Sequence, residues 1–320
     1  MKALKTLLIT IAVLLYSTTV SAHDFEVDGI YYNITSDSEM TVEVTSNSST
    51  VYSGDVVIPA NVVYNGSSYD VTSIGNGAFS GCTGLTNITI PNSVASIRYE
   101  AFSGCTSLTD ITIPSSVTTL GDGVLTKIFP ECTNLVTVTI ESQSVALMKS
   151  ISDYFGGQVT KYIISEGVTS IGDYTFFKCT GLTDITIPNS VTSIGYKAFS
   201  GCTSLTDITI PSSVTTLGGE SIFPSCVNLV TVTIESQNVA SMRNLKSVFG
   251  EQVTTYILGN SVTSIGYEAF NGCTELTEIT IPNSVTSIGS WAFSGCAGLT
   301  EITIPSSVTS IGGSAFNGCN

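Results

Sequence analysis

One 23-residue phrase limits what this chain can fold into. Residues 194–216, IGYKAFSGCTSLTDITIPSSVTT, return with small edits from residue 74 onward. As a template the phrase reads I-G-x-x-A-F-x-G-C-x-x-L-T-x-I-T-I-P-x-S-V-T-x. Its cysteine falls at 82, 105, 132, 179, 202, 226, 273, 296 and 319, so the spacings are 23, 27, 47, 23, 24, 47, 23 and 23 residues. A period in the twenties marks a solenoid with one supersecondary unit per coil. Each 47-residue gap then holds two coils, one of them without Cys.

Within a unit the alternation is that of a half-buried strand. Leu205, Ile208 and Ile210 point one way, and Asp207 and Thr209 the other. Pro211 removes a ladder donor and ends the strand. Val214 and Leu217 send a second apolar row inward, Gly218 turns the chain, and an Ala-Phe pair follows in most units as a short helical or 3-10 turn. A unit of this size cannot bury its own apolar face, so coils must stack, with equivalent strands side by side in a parallel sheet at ~4.8 Å per coil. Eleven strand-like segments, from 56–58 to 299–304, predict a rod or gentle arc about 50 Å long.

The recurring L-T-x-I-T-I-P-x-S-V-T-S-I-G-x-x-A-F-x-G-C resembles the 23-residue leucine-rich repeat of BspA-like bacterial surface proteins, over residues 24–320. The resemblance implies a mostly-β α/β leucine-rich-repeat solenoid with a concave parallel sheet and helical or 3-10 turns on the convex side. It also implies adhesion to host matrix proteins such as fibronectin and fibrinogen, and bacterial coaggregation.

The chain divides into three parts. Residues 1–22 read as a secretory signal peptide: Lys2 and Lys5, an apolar run at 7–16 too short to span a bilayer, then Val20-Ser21-Ala22 before a cut at His23. This predicts a secreted or surface-exposed protein, the periplasm being the other destination, and no later segment is long and apolar enough to insert in a membrane. Residues 23–70 depart from the template and read as an N-terminal β cap and first coil, with hairpin turns at Asp28-Gly29 and Asn65-Gly66. Residues 71–320 are the solenoid. In it, 142–160 reappear at 236–254, and each copy predicts a helix, near 144–156 and 238–250, capped by Ser144 and Asn238 and stopped by Gly156 and Gly250. The duplication spans 94 residues, a block of four coils.

Composition narrows the function. The net charge of −15, near −17 without Lys2 and Lys5, disfavours nucleic acid and anionic membranes. Nine cysteines at one template position, in three runs of three, point in parallel and read as buried small side chains rather than disulfides. There is no C-x₂-C spacing and the one histidine is His23, so neither a zinc site nor a His-based catalytic site is expected, and no cofactor. Acidic residues recur at one template position, as surface filling does, so the chain does not read as an enzyme.

What remains is a surface. One outward column reads Asp55, Asn87, Asp110, Thr137, Lys161, Asp184, Asp207, Thr231, Thr255, Glu278, Glu301. Beside it runs Val57, Thr89, Thr112, Thr139, Ile163, Thr186, Thr209, Thr233, Ile257, Thr280, Thr303. Such a face suits an extended protein or glycan ligand, and Asp110, Thr112, Lys161, Ile163, Asp184, Thr186, Asp207, Thr209, Ile257, Glu278 and Glu301 are its candidate binding residues. Lys161, Ile163 and Ile257 break the regular filling and are the candidates for specificity. A second set, Tyr99, Tyr174, Tyr196, Tyr267 and Trp291, precedes the Ala-Phe pairs, where an aromatic reads first as a shield for the turn below and second as a ring to stack on sugars. The alternative function is structural, with 299–304 an open strand edge through which copies self-associate.

Overall fold

The x-I-T-I alternation becomes a stack of short strands in the computed structural model, which describes residues 23–47, 51–122, 127–219 and 221–319. The leader expected at 1–22 lies outside the described residues. One strand per coil builds the first row: Gly54–Val57, Leu85–Thr89, Asp110–Ile113, Thr137–Ile140, Lys161–Ile164, Asp184–Thr186, Asp207–Ile210, Thr231–Ile234, Thr255–Leu258 and Glu278–Thr280. Pairing is parallel and keeps template positions level, so Asp110, Thr137, Lys161 and Asp184 lie side by side.

This row is interrupted. Two four-stranded ladders run from Asp110–Ile113 to Asp184–Thr186 and from Asp207–Ile210 to Glu278–Thr280, preceded by the pair Gly54–Val57 and Leu85–Thr89. The eleventh strand expected at 299–304 is not formed; that segment carries no ladder. At two of the three openings consecutive coils put a carboxylate at the same position, Asp184 with Asp207 and Glu278 with Glu301; at the third, Asn87 meets Asp110. Inside the two long ladders every carboxylate of this column is level with Thr or Lys instead. Like charges directly opposite weaken pairing.

A second row bridges each opening. Ser67–Ile74, Ser96–Ile97 and Thr119–Leu120 pair in parallel, as do Ser170–Ile171, Ser193–Ile194 and Thr216–Leu217, and then Ser264–Ile265, Ser287–Ile288 and Ser310–Ile311. This row breaks only where α1 (Gln143–Ala146) and α3 (Gln237–Ala240) replace the short strand. There the first row is continuous.

The helix-bearing coils differ from expectation. In place of one long helix each holds two single turns, α1 with α2 (Ser152–Phe155) and α3 with α4 (Leu245–Phe249). The caps of α1 and α3 are Ser142 and Ser236, not Ser144 and Asn238, because the chain leaves the strand two residues earlier. Their hydroxyls accept from Val145 N and Val239 N at 3.2 Å. Ser150 (φ 52°) and Asn244 (φ 57°) break the path by turning left-handed. Their amides bond the next coil, at Tyr174 O and Glu268 O, rather than their own helix. The Ala-Phe segments are likewise single three-residue-back turns, such as Cys105 N to Phe102 O. A left-handed residue just before them, Glu100, Lys197, Glu268 or Trp291, prevents a longer helix.

The core is one continuous apolar column whose axis is aromatic. Phe79, Phe102 and Phe129 stack at 5.2 and 4.8 Å with planes within 4° of parallel, and Phe176–Phe199–Phe223 and Phe270–Phe293–Phe316 repeat the arrangement. The cysteines beside them are free. Six donate Sγ–H to the phenylalanine carbonyl one coil earlier, as Cys132 does to Phe102 O at 2.9 Å. In the coils without Cys, Gln158 and Gln252 take over, each donating to two backbone carbonyls. Tyr162 and Tyr256 fill the space there, bridging Phe155 to Phe176 and Phe249 to Phe270 edge-on.

At the N-terminal end, hairpins turn at Asp28-Gly29 and Asn65-Gly66. Thr41–Thr45 joins them to the second row through Ser67–Ile74. Tyr52 packs against Phe79 at 4.8 Å, tilted by 47°, and carries the aromatic axis into this segment.

Two predictions test the axis. Phe199→Ala lowers stability by about 3–5 kcal/mol in urea denaturation, because its ring is sandwiched. Phe316→Ala, half-buried with one ring neighbour, costs less. The Tyr162 and Tyr256 hydroxyls are buried, that of Tyr256 without a hydrogen-bond partner. Burial, reinforced by the Cys179 and Cys273 thiols, pushes both well above the ordinary tyrosine value of 10.0. The folded state therefore holds these protons more tightly than the unfolded chain, so their contribution is complete below pH 10 and lost as pH rises above it. Tyr256→Phe raises the pH midpoint of alkaline unfolding followed by circular dichroism.

Candidate functional site

Strand register decides which outward side chains meet. In the first long ladder Asp110, Thr137, Lys161 and Asp184 form one column and Thr112, Thr139, Ile163 and Thr186 the next. In the second, Asp207, Thr231, Thr255 and Glu278 stand beside Thr209, Thr233, Ile257 and Thr280. The candidate residues thus fall into two patches of equal build. Each has a carboxylate at either rim and an isoleucine near the centre, Ile163 or Ile257, with threonines on both sides. Glu301 belongs to neither, since its segment makes no ladder; it faces Glu278 across an open cleft of about 570 Å³ that also takes in Thr280 and Thr303.

Electrostatics separates the two patches. Lys161 Nζ lies 2.7 Å from Asp184 Oδ2, with both side chains substantially exposed. The cation that breaks the column is therefore neutralised by the next rung. At the equivalent place in the second patch stands Thr255, so that patch keeps Asp207 and Glu278 without a cation. Ile257 is 37 % exposed and Ile163 half-buried, and the other outward side chains of the two patches are Thr, carboxylates and Lys161.

The sequence pattern located these columns but missed their division. The signal was present in the run Asp184, Asp207, which places like charges in consecutive coils. The Lys161–Asp184 pair was readable from the same register.

Among the described residues no three His, Cys, Asp or Glu side chains converge to hold a metal ion. Burial pushes the Cys179 thiol up to about 12, so it stays a protonated thiol and a poor nucleophile. Among the described residues no helix is long and apolar enough to cross a membrane.

Comparison with known proteins places this architecture. The BspA type leucine rich repeat region matches residues 65–155, 152–249 and 246–320, in six copies. Among solved structures, a leucine-rich repeat protein from Bacteroides ovatus is 27% identical, over 93% of this chain and 92% of that one, with a TM-score of 0.41. A leucine rich cell surface protein from Faecalibacterium prausnitzii is 26% identical over 92% and 86%, with a TM-score of 0.42. The pneumococcal vaccine antigen PcpA is 18% identical over 93% and 80%, with a TM-score of 0.39. No curated protein matches the chain significantly.

The candidate residues are expected to be dispensable for folding. Lys161→Gln removes an exposed pair worth at most about 1 kcal/mol, and Ile163→Thr restores the column's regular filling at a cost within about 0.5 kcal/mol. Urea denaturation of both variants checks this. A loss of several kcal/mol in either would make the position structural.

Proposed function

The chain belongs to the BspA-type leucine-rich-repeat family of bacterial surface proteins, and from that premise we propose that it is an adhesin-like module that binds an extended protein ligand through its first-row strand face. The observation that carries this reading is the pair of outward isoleucines, Ile257 exposed and Ile163 half-buried. Each sits on a pleated face held by backbone ladders on both sides, where every neighbour in its column is Thr. Filling for solubility does not place Ile there. An apolar centre with a polar, charged rim is the anatomy of a protein-contact patch.

Solenoids offer such faces without cofactor or moving parts, and the rigid backbone lowers the ordering cost of binding. Two patches on one rod allow a long ligand to engage both, so modest contacts combine. The family's solenoids are typically non-enzymatic, in keeping with a binding role. Export through a leader at 1–22 and a capping role for 23–70 belong to the same proposal, since the first row would be presented outside the cell and closed at one end.

The test is surface plasmon resonance of the purified chain against immobilised fibronectin, fibrinogen and other matrix proteins at several salt concentrations. Saturable binding is expected, and Ile163→Arg with Ile257→Arg is expected to weaken it at least tenfold, the loss of about 1.4 kcal/mol or more. Unchanged binding by a folded double variant would remove the strand face from the function.

A further inference from the structure

A cationic aromatic cluster on the turn edge, away from the strand face, has no role in the reading above. Beyond residue 22 the chain has only eight Lys and Arg residues, and three of them, Lys149, Lys178 and Lys197, gather here. Each lies over an aromatic ring: Lys149 Nζ is 5.8 Å from the Tyr174 centroid, Lys178 Nζ 5.1 Å from Phe177, and Lys197 Nζ 5.1 Å from Tyr196. The rings form a connected set, with Tyr174 edge-on to Phe177 at 5.7 Å and to Tyr196 at 5.6 Å. None of the three lysines is in an ion pair within 4.0 Å among the described residues. Asp173 lies among them, and its Oδ1 is engaged in accepting from Tyr196 N at 2.7 Å.

The cluster is held by backbone across three coils. Ser150 N donates to Tyr174 O and Tyr174 N to Tyr196 O, both at 2.9 Å. Lys149, Tyr174 and Tyr196 are thereby set one coil apart along the edge. Beside them runs a cleft of about 420 Å³, bordered by Lys149 and Asp173 and floored by Gly172, Gly195 and Gly218. A Cβ on any of these glycines would lie 2.7 Å or less from backbone of the preceding coil, so no side chain can stand at these three positions.

We infer that this edge binds an acidic polysaccharide, a chain of sugar rings bearing carboxylate or sulfate groups. The lysines supply the counter-charges that a strongly acidic protein otherwise lacks. Tyr196, exposed, offers a ring against which the C–H face of a pyranose packs, and the three glycines leave the cleft open to a flat ring. The duplicated block supplies an internal contrast. Ninety-four residues on, Arg243 replaces Lys149 and lies over Tyr267 at 5.0 Å, but Glu268 replaces Tyr174 and accepts from Arg243 Nε at 2.9 Å. The second copy is neutralised and carries no such site.

The experiment measures binding of the whole chain, by isothermal calorimetry at low and physiological salt, to a heparin-derived hexasaccharide, a hexagalacturonate, neutral maltohexaose and a poly-glutamate peptide. Binding to at least one acidic sugar is expected, weakening with salt, with none to maltohexaose; the sulfated and carboxylate arms separate the two anion types. Replacing Lys149, Lys178 and Lys197 by Gln is expected to weaken it at least about tenfold, and Tyr196→Ala several-fold, while Arg243→Gln and Ile257→Arg leave it unchanged. All these side chains lie at the surface, and circular dichroism verifies the fold. Failure of both acidic sugars, equal binding of the neutral one, or indifference to the lysine variant would overturn the inference. Poly-glutamate binding as tightly as the sugars, with no effect of Tyr196→Ala, would overturn it in favour of an acidic peptide. Because Ile257→Arg strikes only the strand face, loss of matrix-protein binding and loss of sugar binding fail independently.

Discussion

The stacking of one phenylalanine per coil is the constraint on which the structure depends. Offset parallel rings settle about 5 Å apart, close to the ~4.8 Å that parallel strands require, and here they stand at 4.8 to 5.4 Å. The two spacings agree, so turn edge and strand row can rise together without shear. Each cysteine thiol bonded to the previous phenylalanine carbonyl ties that register to the backbone. Where the helical turns of α2 and α4 displace the template, the rings of Phe155 and Phe249 tilt by 25° and 27° from their predecessors. The axis is then restored by Tyr162 and Tyr256, which stand at a strand position that elsewhere holds Ile or Val. A single substitution in the strand thus answers a change on the opposite side of the coil.

The two strand rows divide the work of holding coils together. The first opens between Leu85–Thr89 and Asp110–Ile113, between Asp184–Thr186 and Asp207–Ile210, and after Glu278–Thr280. At those junctions the second row pairs, and where α1 or α3 interrupts the second row the first is unbroken. No junction depends on side-chain packing alone. In a structure whose stability is a sum over neighbouring coils, a junction without any ladder would be the place where the rod parts. The staggering also matches the 94-residue repeat: a block of four coils carries one complete first-row ladder and one complete second-row interruption.

The fold was legible because its signals are periodic. The Cys ruler gave the coil count, x-I-T-I gave the strands, and Asp28-Gly29 and Asn65-Gly66 gave the hairpins. Misreadings arose where a residue's role depends on its neighbour in the next coil. Ser144 resembles a cap, but Ser142 takes the role because its hydroxyl also donates to Val117 O, one coil back. The apolar spacing of Val145, Met148, Ile151 and Phe155 looks like one helix, yet Ser150 gives its amide to Tyr174 O. Segment 299–304 has the sequence of a strand and lacks a ladder, because Glu301 falls level with Glu278 and like charges directly opposite weaken pairing. The candidate face was legible as columns but not as patches for the same reason: the openings are properties of pairs such as Asp184 and Asp207, not of either residue.

Function in such a chain must reside where the template leaves choice. Inward Leu, Ile, Val, Phe and Cys are committed to stacking, and Gly, Pro and Ser to turns and caps. The outward strand positions and the two residues before each Ala-Phe pair remain. Charge has been sorted between these two places. On the strand face the lysine at 161 is cancelled by Asp184, leaving Thr, carboxylates and two isoleucines. On the turn edge three lysines stand over aromatic rings without an ion pair among the described residues. A chain of net charge −15 shaped for solubility alone would scatter its few cations among its many carboxylates, as Arg98 with Glu43 and Arg243 with Glu268 do. Their segregation in one copy of the block, and cancellation in the other, marks the first copy as the place where the surface departs from what folding and solubility require.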